Sequence, residues 1–138
     1  MEPNSNMPLP VIDDLTRPFW DAARAHRLVV QRCQACGDVH FPPSPVCPAC
    51  LSEDQVWQEA SGRATLLSWA TFHRAYWDGV KDAVPYDVCV VRLAEGPLMV
   101  SNFAGPTPEG LRLGLPLAAV FHDVAPEVSV VRWVVAGA

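Results

Sequence analysis

The chain has 138 residues, half of them hydrophobic and 18% charged, a composition that excludes intrinsic disorder. The net charge of −5, with Lys81 the only lysine among ten basic residues, argues against a general polyanion-binding surface. No apolar run approaches the roughly 20 residues that span a bilayer, and residues 1–10 lack the features of a signal peptide. We therefore expect a cytoplasmic protein without a membrane segment, with residues 1–15 as a flexible leader.

A short helix is predicted after the leader, within residues 16–27 and most clearly over 17–26. Thr16 is a suitable N-cap and Pro18 suits the first turn. Phe19 and Ala23 are four residues apart, so they share one face of the helix. We expect this face to pack on an apolar surface.

Residues 28–58 contain two cysteine pairs, Cys33-x2-Cys36 and Cys47-x2-Cys50, separated by ten residues. A two-residue gap lets both sulfurs of a pair face one point, and four thiolates complete a tetrahedral zinc site with no position left for water or substrate. The prolines in this segment exclude regular secondary structure, so the segment needs another source of order; they are Pro42, Pro43, Pro45 and Pro48. The pattern predicts a zinc ribbon held by a structural Zn²⁺.

Three other interpretations of the cysteines remain open. A redox pair needs one CxxC at a helix N-terminus, whereas both pairs lie among prolines. Iron also binds four thiolates tetrahedrally, so the ligands alone do not distinguish it from zinc. Two disulfides would be unusual in a reducing compartment. Cys89, between two valines of a predicted strand, is interpreted as a small buried hydrophobic residue.

The remainder, residues 59–138, has the composition of a β domain. Five segments rich in β-branched and aromatic residues are bounded by glycine, proline or acidic residues, which predicts strands over 64–74, 88–93, 98–103, 117–121 and 128–135. Five strands of this kind indicate a small barrel. Residues 77–85 and 105–114 are turn-rich and are predicted to be loops, where a barrel commonly binds its ligands.

Taken together, the motifs resemble a bacterial and archaeal family first described as domain of unknown function 35. The matching segments run over about residues 16–135: Pro18-Phe19-Trp20, Leu28-Val29, Cys33-x-x-Cys36-Gly37, Phe41-Pro42-Pro43, Cys47-Pro48-x-Cys50, Ser61-Gly62, Ser68, Thr71-Phe72-His73-Arg74, Pro85-Tyr86, Val90-Val91-Arg92-Leu93-Ala94-Glu95-Gly96 and Leu111-Arg112-Leu113-Gly114-Leu115-Pro116-Leu117. The departures from the family pattern are mild, and none removes a cysteine; they fall at Ser44, Ala64, Leu113 and Leu115.

The resemblance implies a mainly β protein with an N-terminal helix, a rubredoxin-like zinc ribbon and a five-stranded OB-fold barrel. It also implies an accessory subunit in a hetero-oligomer with a thiolase-like enzyme. Such a partner would act on acyl-CoA thioesters by acyl transfer, Claisen condensation or retro-aldol cleavage. In agreement with this, the sequence shows no recognisable set of nucleophile, base and orienting acid, so we assign no catalytic residue.

Candidate contacts with CoA or with the partner lie near the ends of two predicted strands. Arg74 could bind a CoA phosphate or a partner carboxylate, beside His73, and Trp77 could pack on an apolar surface. Asn102 and Phe103 form a second candidate pair. Three arginines near the ribbon are weaker candidates for the CoA 3′-phosphate: Arg24, Arg27 and Arg32. No partner or role can be assigned to His26, His40 and His122.

Two alternative functions are also considered. OB-folds and zinc ribbons commonly bind single-stranded nucleic acids, but they do so with a basic groove that this acidic chain lacks. We therefore expect no nucleic-acid partner. A free-standing enzyme would require turnover by the purified chain alone.

Overall fold

The computed structural model describes residues 7–137. The helix α1 spans Arg17–Arg24, and a short 3₁₀ helix spans Asp78–Val80. No helix within this range is long and apolar enough to cross a membrane. The strands in chain order are β1 Val29–Cys33, β2 Val39–His40, β3 Gln55–Glu59, β4 Arg63–Phe72, β5 Tyr86–Leu93, β6 Leu98–Ser101, β7 Pro116–Ala125 and β8 Val128–Val135.

Helix α1 begins at the predicted residue but ends two residues before the predicted end. Thr16 occupies the N-cap position, yet its hydroxyl donates to Asp13 Oδ1 at 2.9 Å instead of capping the helix. The Thr16 N–H donates to the same carboxylate oxygen at 2.8 Å, which fixes the turn that leads into the helix. At the other end, His26 has a φ of +58°, a left-handed conformation that a helix cannot continue through. Residues 1–6 of the predicted leader lie outside the described residues.

The first sheet belongs to the ribbon. Its strand order is β2–β1–β3, with both pairings antiparallel. Strand β1 is buried at four of its five positions because it also lies against the rest of the molecule. The Ala60 N–H donates to the Leu28 carbonyl at 2.8 Å and leads the chain from the ribbon into the second sheet.

The second sheet has the order β6–β5–β4–β7–β8, entirely antiparallel, and curls into a half-barrel. A bulge at Leu66/Ser68 bends β4, and the two edges of the sheet approach each other at the Phe103–Trp133 bridge. The prediction of a mainly β fold with a helix, a ribbon and a five-stranded OB-fold sheet is confirmed. All five predicted strands are present; the last one matches at both ends, and no end of the others is shifted by more than four residues.

One continuous core joins the helix, the ribbon and the half-barrel. It contains Phe19 of α1, Leu28 and Val30 of the ribbon, and the inward-facing residues of the second sheet, including the fully buried Trp133. Phe19 packs against Trp20 with ring centroids 5.1 Å apart and against Phe41 of the ribbon at 5.4 Å. The aromatic face predicted for the helix is therefore buried where the three parts meet.

The hairpin of β4 and β5 extends beyond the half-barrel. Strand β7 pairs only with Arg63–Thr65 of β4, whereas β5 pairs with β4 as far as Phe72. The second half of β4 thus has a hydrogen-bonded neighbour strand on one side alone, and most of its side chains are exposed.

Candidate metal centre and ligand-binding residues

The four cysteines of the two CxxC pairs converge on one point. Their Sγ atoms all lie within 4.8 Å of one another, and the pairs Cys33–Cys50 and Cys36–Cys47 are each separated by 3.6 Å. An ideal tetrahedron with Zn–S bonds of about 2.3 Å has S···S edges of about 3.8 Å, so the donor set and its geometry fit one structural zinc ion. A disulfide would need about 2.05 Å, and all five cysteines are free.

Each CxxC pair lies in a tight turn whose geometry is repeated in the other. The Gly37 N–H donates to the Cys33 carbonyl at 2.9 Å, and the Leu51 N–H donates to the Cys47 carbonyl at 2.8 Å. Both donors have positive φ, +80° for Gly37 and +67° for Leu51. Glycine adopts this conformation without strain, whereas leucine does not, so the second turn is the more strained.

Neighbouring backbone N–H groups and thiols shift the pKa values of Cys33 and Cys36 in opposite directions. The Cys36 N–H is the main cause that lowers the pKa of Cys33 to about 7. The Asp38 N–H favours the Cys36 thiolate, but burial and hydrogen bonds with the other cysteines outweigh it and raise the pKa of Cys36 to about 12. Since zinc binds thiolates, the release of protons accompanies metal binding.

The proline-rich loop between the cysteine pairs is held by hydrogen bonds as well as by the metal ligands. The buried Gln31 side chain accepts from the Ser44 N–H at 2.7 Å and donates to the Ser44 carbonyl at 3.1 Å. Gln55 donates to the same carbonyl at 2.8 Å. Sequence reasoning missed this clamp; its only signal was a glutamine directly after the hydrophobic run Leu28-Val29-Val30 in a predicted strand.

His40 lies beside the metal centre, although no role could be assigned to it from the sequence. Its Nδ1 is 3.2 Å from Asp38 Oδ2, and the donor atoms of His40, Asp38 and Cys47 lie within 4.8 Å of one another. The ring is buried, so it packs against the cluster and orients Asp38. Cys89, by contrast, is buried in the core of the half-barrel and takes no part in the cluster.

Three of the predicted CoA contacts lie at the exposed tip of the β4–β5 hairpin. His73 and Arg74 follow the end of β4 and line a shallow depression of about 310 Å³ with Tyr76. The Arg74 guanidinium lies 5.3 Å from the centre of the Tyr76 ring. Trp77 is 57% exposed and packs edge-on against Tyr76.

Asn102 and Phe103 lie elsewhere. Asn102 lines an apolar groove of about 300 Å³ between α1, Phe41 and strands β6 and β8. Its amide nitrogen donates to the Asp87 carbonyl at 2.8 Å. Phe103 is 2% exposed, so its side chain packs in the core and offers no surface to a ligand.

His26 and Asp123 form a contact between the turn after α1 and strand β7 that the sequence did not reveal. His26 Nε2 lies 2.9 Å from Asp123 Oδ1, and the ring stacks on Phe121 with centroids 5.4 Å apart. The Ser129 hydroxyl donates to the same carboxylate oxygen at 2.5 Å. The Ser129 hydroxyl, followed by His26, holds the pKa of Asp123 below its usual value of 3.8.

This lowered pKa gives a prediction for acid stability. A carboxyl whose pKa is lower in the folded chain stabilises the fold above its usual pKa and loses that contribution as the pH falls through the folded value. Asp123→Asn is therefore expected to lose less stability than the unsubstituted chain between neutral pH and about pH 3. Urea unfolding across this range measures the difference, with Asp14→Asn as the control. If the free energy of unfolding fell by the same amount with decreasing pH in Asp123→Asn and in the unsubstituted chain, the prediction would be contradicted.

The fold and the four-cysteine site define a protein that combines a zinc ribbon with an OB-fold. Two family models match it: the rubredoxin-like zinc ribbon domain of ChsH2 over residues 20–55 and the C-terminal OB-fold domain of ChsH2 over residues 57–122. The chain is 30% identical over 98 residues to a DUF35 domain-containing scaffold protein of Methanocaldococcus jannaschii, covering 70% of the chain and 69% of that protein. It belongs to the ChsH2 (DUF35) family, as the resemblance predicted.

Two further proteins are similar to the chain. One is a probable enoyl-CoA hydratase alpha subunit of Thermomonospora curvata, 33% identical over 128 residues. This match covers 93% of the chain but only 40% of the relative, so the chain spans less than half of that protein's length. The other is a chain of the solved Ltp2-ChsH2(DUF35) aldolase, with a TM-score of 0.78 and 32% identity, covering 91% of this chain and 97% of that one.

Proposed function

We propose that this chain is an accessory subunit that pairs with a thiolase-like enzyme acting on acyl-CoA thioesters. The observation that carries the proposal is the similarity over almost the whole length of both chains to a component of the Ltp2-ChsH2(DUF35) aldolase. Of the three reactions expected for such a partner, the name aldolase favours carbon–carbon cleavage over acyl transfer and Claisen condensation. Thiolate ligands suit a reducing compartment, so we place the complex in the cytoplasm.

The side chains of this subunit support a non-catalytic role. Four thiolates fill the coordination sphere of a zinc ion, which leaves no open position for chemistry. Ser129, Asp123 and His26 do come together, but Asp123 lies between the other two. The Ser129 hydroxyl donates to the Asp123 carboxylate and not to the imidazole of His26. His26 is therefore not placed to take the hydroxyl proton, as the base of a catalytic triad does.

We further propose that the hairpin tip contacts the CoA moiety where it enters the partner. Arg74 offers a guanidinium for a phosphate, His73 lies beside it, and Trp77 offers an exposed aromatic surface. The three arginines near the ribbon remain weaker candidates for the 3′-phosphate: Arg24, Arg27 and Arg32. Asn102 lies in the groove and not at the tip, and the buried Phe103 is left out of the proposed contacts.

The test is purification of a tagged copy from its native host. We expect a thiolase-like subunit to co-purify in a defined ratio and the complex to cleave or form a bond in an acyl-CoA substrate, whereas the purified chain alone turns nothing over. A chain that elutes alone, or that is active by itself, would contradict the proposal.

The same complex tests the CoA contacts. Arg74→Ala is expected to weaken CoA binding to the complex by about tenfold, the loss typical of one charge-assisted hydrogen bond. Arg112→Ala, an exposed arginine of another loop, serves as the control. Calorimetric titration with CoA measures both variants, and equal affinities would remove Arg74 from the site.

A further inference from the structure

The outward face of strands β4, β5 and β6 is mainly apolar, although it does not face the core. Cys89, Val91 and Met99 point inward and are buried, so the residues that alternate with them point outward. An antiparallel sheet with one buried face normally has polar residues on the other. Here most of the outward residues are apolar; the whole set, which we call the outer face, is Ala70, Phe72, Tyr86, Val88, Val90, Leu98 and Val100, with Thr65 and Ser68 between them and Arg63 and Arg92 at one end.

Most of this surface is open to solvent. Val100 is 68% exposed, Leu98 is 44% exposed, and Val88 and Val90 on the neighbouring strand are partly exposed. The face is also continuous with the aromatic residues of the hairpin tip, because Phe72 stacks on Tyr86 at 5.5 Å and contacts Tyr76 at 6.4 Å. A contiguous apolar surface of this kind, extended by exposed Tyr and Trp, is typical of a protein-binding site.

The charges on the outer face are all positive, although the chain as a whole has a net charge of −5. Arg92 lies opposite Thr65, and Arg63 lies two residues before Thr65 on the same face; both arginines are exposed and line one depression. The three strands contain a single carboxylate, Asp87, which points to the other face and is hydrogen-bonded by Thr71 and Thr107. The outer face thus combines an apolar centre with a basic border.

We infer that the outer face of β4–β6 is the surface that docks the catalytic subunit, and that the matching surface of that subunit is apolar with acidic residues at its border. The inference rests on the proposed function and adds to it the place and chemistry of the contact. A second copy of this chain fits poorly. A twofold dimer places the same patch on both sides, so neither copy offers a carboxylate to the arginines of the other.

Single-stranded nucleic acid also fits the outer face less well than a protein does. Bases stack on aromatic rings, whereas the centre of this face consists of valine and leucine side chains. Two arginines at the border supply few of the phosphate contacts on which such binding depends. The aliphatic centre instead matches the core of a protein interface, and the arginines match its border.

Charge substitutions in matched pairs test the inference, using the full chain and the purified thiolase-like subunit that co-purifies with it. Val100→Glu places a carboxylate in the apolar centre and is compared with Leu113→Glu, since Leu113 is 72% exposed in the loop before β7 and is not one of the outer-face residues. Arg92→Glu reverses a border charge and is compared with Arg112→Glu. Thermal melts first establish that all four variants fold. Biolayer interferometry then measures their affinity for the subunit.

We expect Val100→Glu and Arg92→Glu to weaken the complex by at least about tenfold and the two controls to change it by less than about twofold, with the Arg92→Glu loss shrinking at high salt. If both outer-face variants bind the subunit with full affinity, this inference is overturned while the proposed function stands. If the unsubstituted chain binds no such subunit, the proposed function fails and this inference fails with it. A self-dimer abolished by Val100→Glu, or oligonucleotide binding abolished by Arg92→Glu, would assign the face to a different occupant.

Discussion

Replacing Cys47 with serine is expected to abolish zinc binding and to unfold the ribbon. Cys47 is buried, and its sulfur lies 3.6 Å from that of Cys36 and within 4.8 Å of the other two. Zinc binding to small four-ligand modules is worth about 10–16 kcal/mol, which equals or exceeds the stability of a typical domain. The clamp of Gln31 and Gln55 on Ser44 contributes only a few hydrogen bonds of about 1 kcal/mol each, so it cannot replace the metal.

The measurements are zinc per chain by mass spectrometry and the dispersion of ribbon amide signals by heteronuclear NMR. Cys89→Ala is the control, because Cys89 lies in the core and outside the cluster, so this variant should retain one zinc ion. A Cys47→Ser chain that remains folded without metal would show that zinc is dispensable. Absence of both zinc and iron from freshly prepared unsubstituted protein would refute the metal centre itself.

Truncating Trp133 to alanine is expected to destabilise the half-barrel by about 3–5 kcal/mol, the usual loss for a large aromatic residue removed from a core. Trp133 is 0% exposed and lies where β8 approaches the other edge of the sheet. Its backbone N–H donates to the Asn102 carbonyl at 3.1 Å, and its carbonyl accepts from Ala104 at 2.9 Å. The missing ring would leave a cavity at the point that holds the two edges together.

Chemical denaturation of the zinc-loaded protein measures the loss. Trp77→Ala removes the same side chain from an exposed position, and it should change the free energy of unfolding by less than about 0.5 kcal/mol. If the two variants lost similar stability, Trp133 would not have the structural role assigned to it here.

Much of the architecture follows from local patterns in the sequence. The four sulfurs could be predicted to converge because the geometry of each CxxC pair is set within a few residues. The strands could be predicted because segments rich in β-branched residues are bounded by turn residues. The strand predicted over 98–103 ended at Ser101 instead, because Asn102 uses its amide to bind the Asp87 carbonyl and Phe103 turns into the core. That arrangement depends on the tertiary fold and has no local signal.

Contacts between distant residues explain what the sequence did not reveal. His26 and Asp123 are 97 residues apart, so their pairing becomes visible only once α1 lies against the second sheet. The outer face was also missed, for a different reason. The bulge in β4 shifts the alternation of side chains after Leu66, so a strict period of two does not assign Phe72 to the face it shares with Tyr86.

The continuous core has a consequence for how the molecule meets a partner. Phe19, Leu28 and Val30 connect the ribbon and helix to the half-barrel, and the ring of Phe41 packs on Phe19 beside them. Hinge motion between the two sheets would break these contacts, so the zinc-bound turns and the hairpin stay at a fixed distance and angle from each other. Association therefore requires little ordering of one sheet relative to the other, and the entropic cost of binding is correspondingly small.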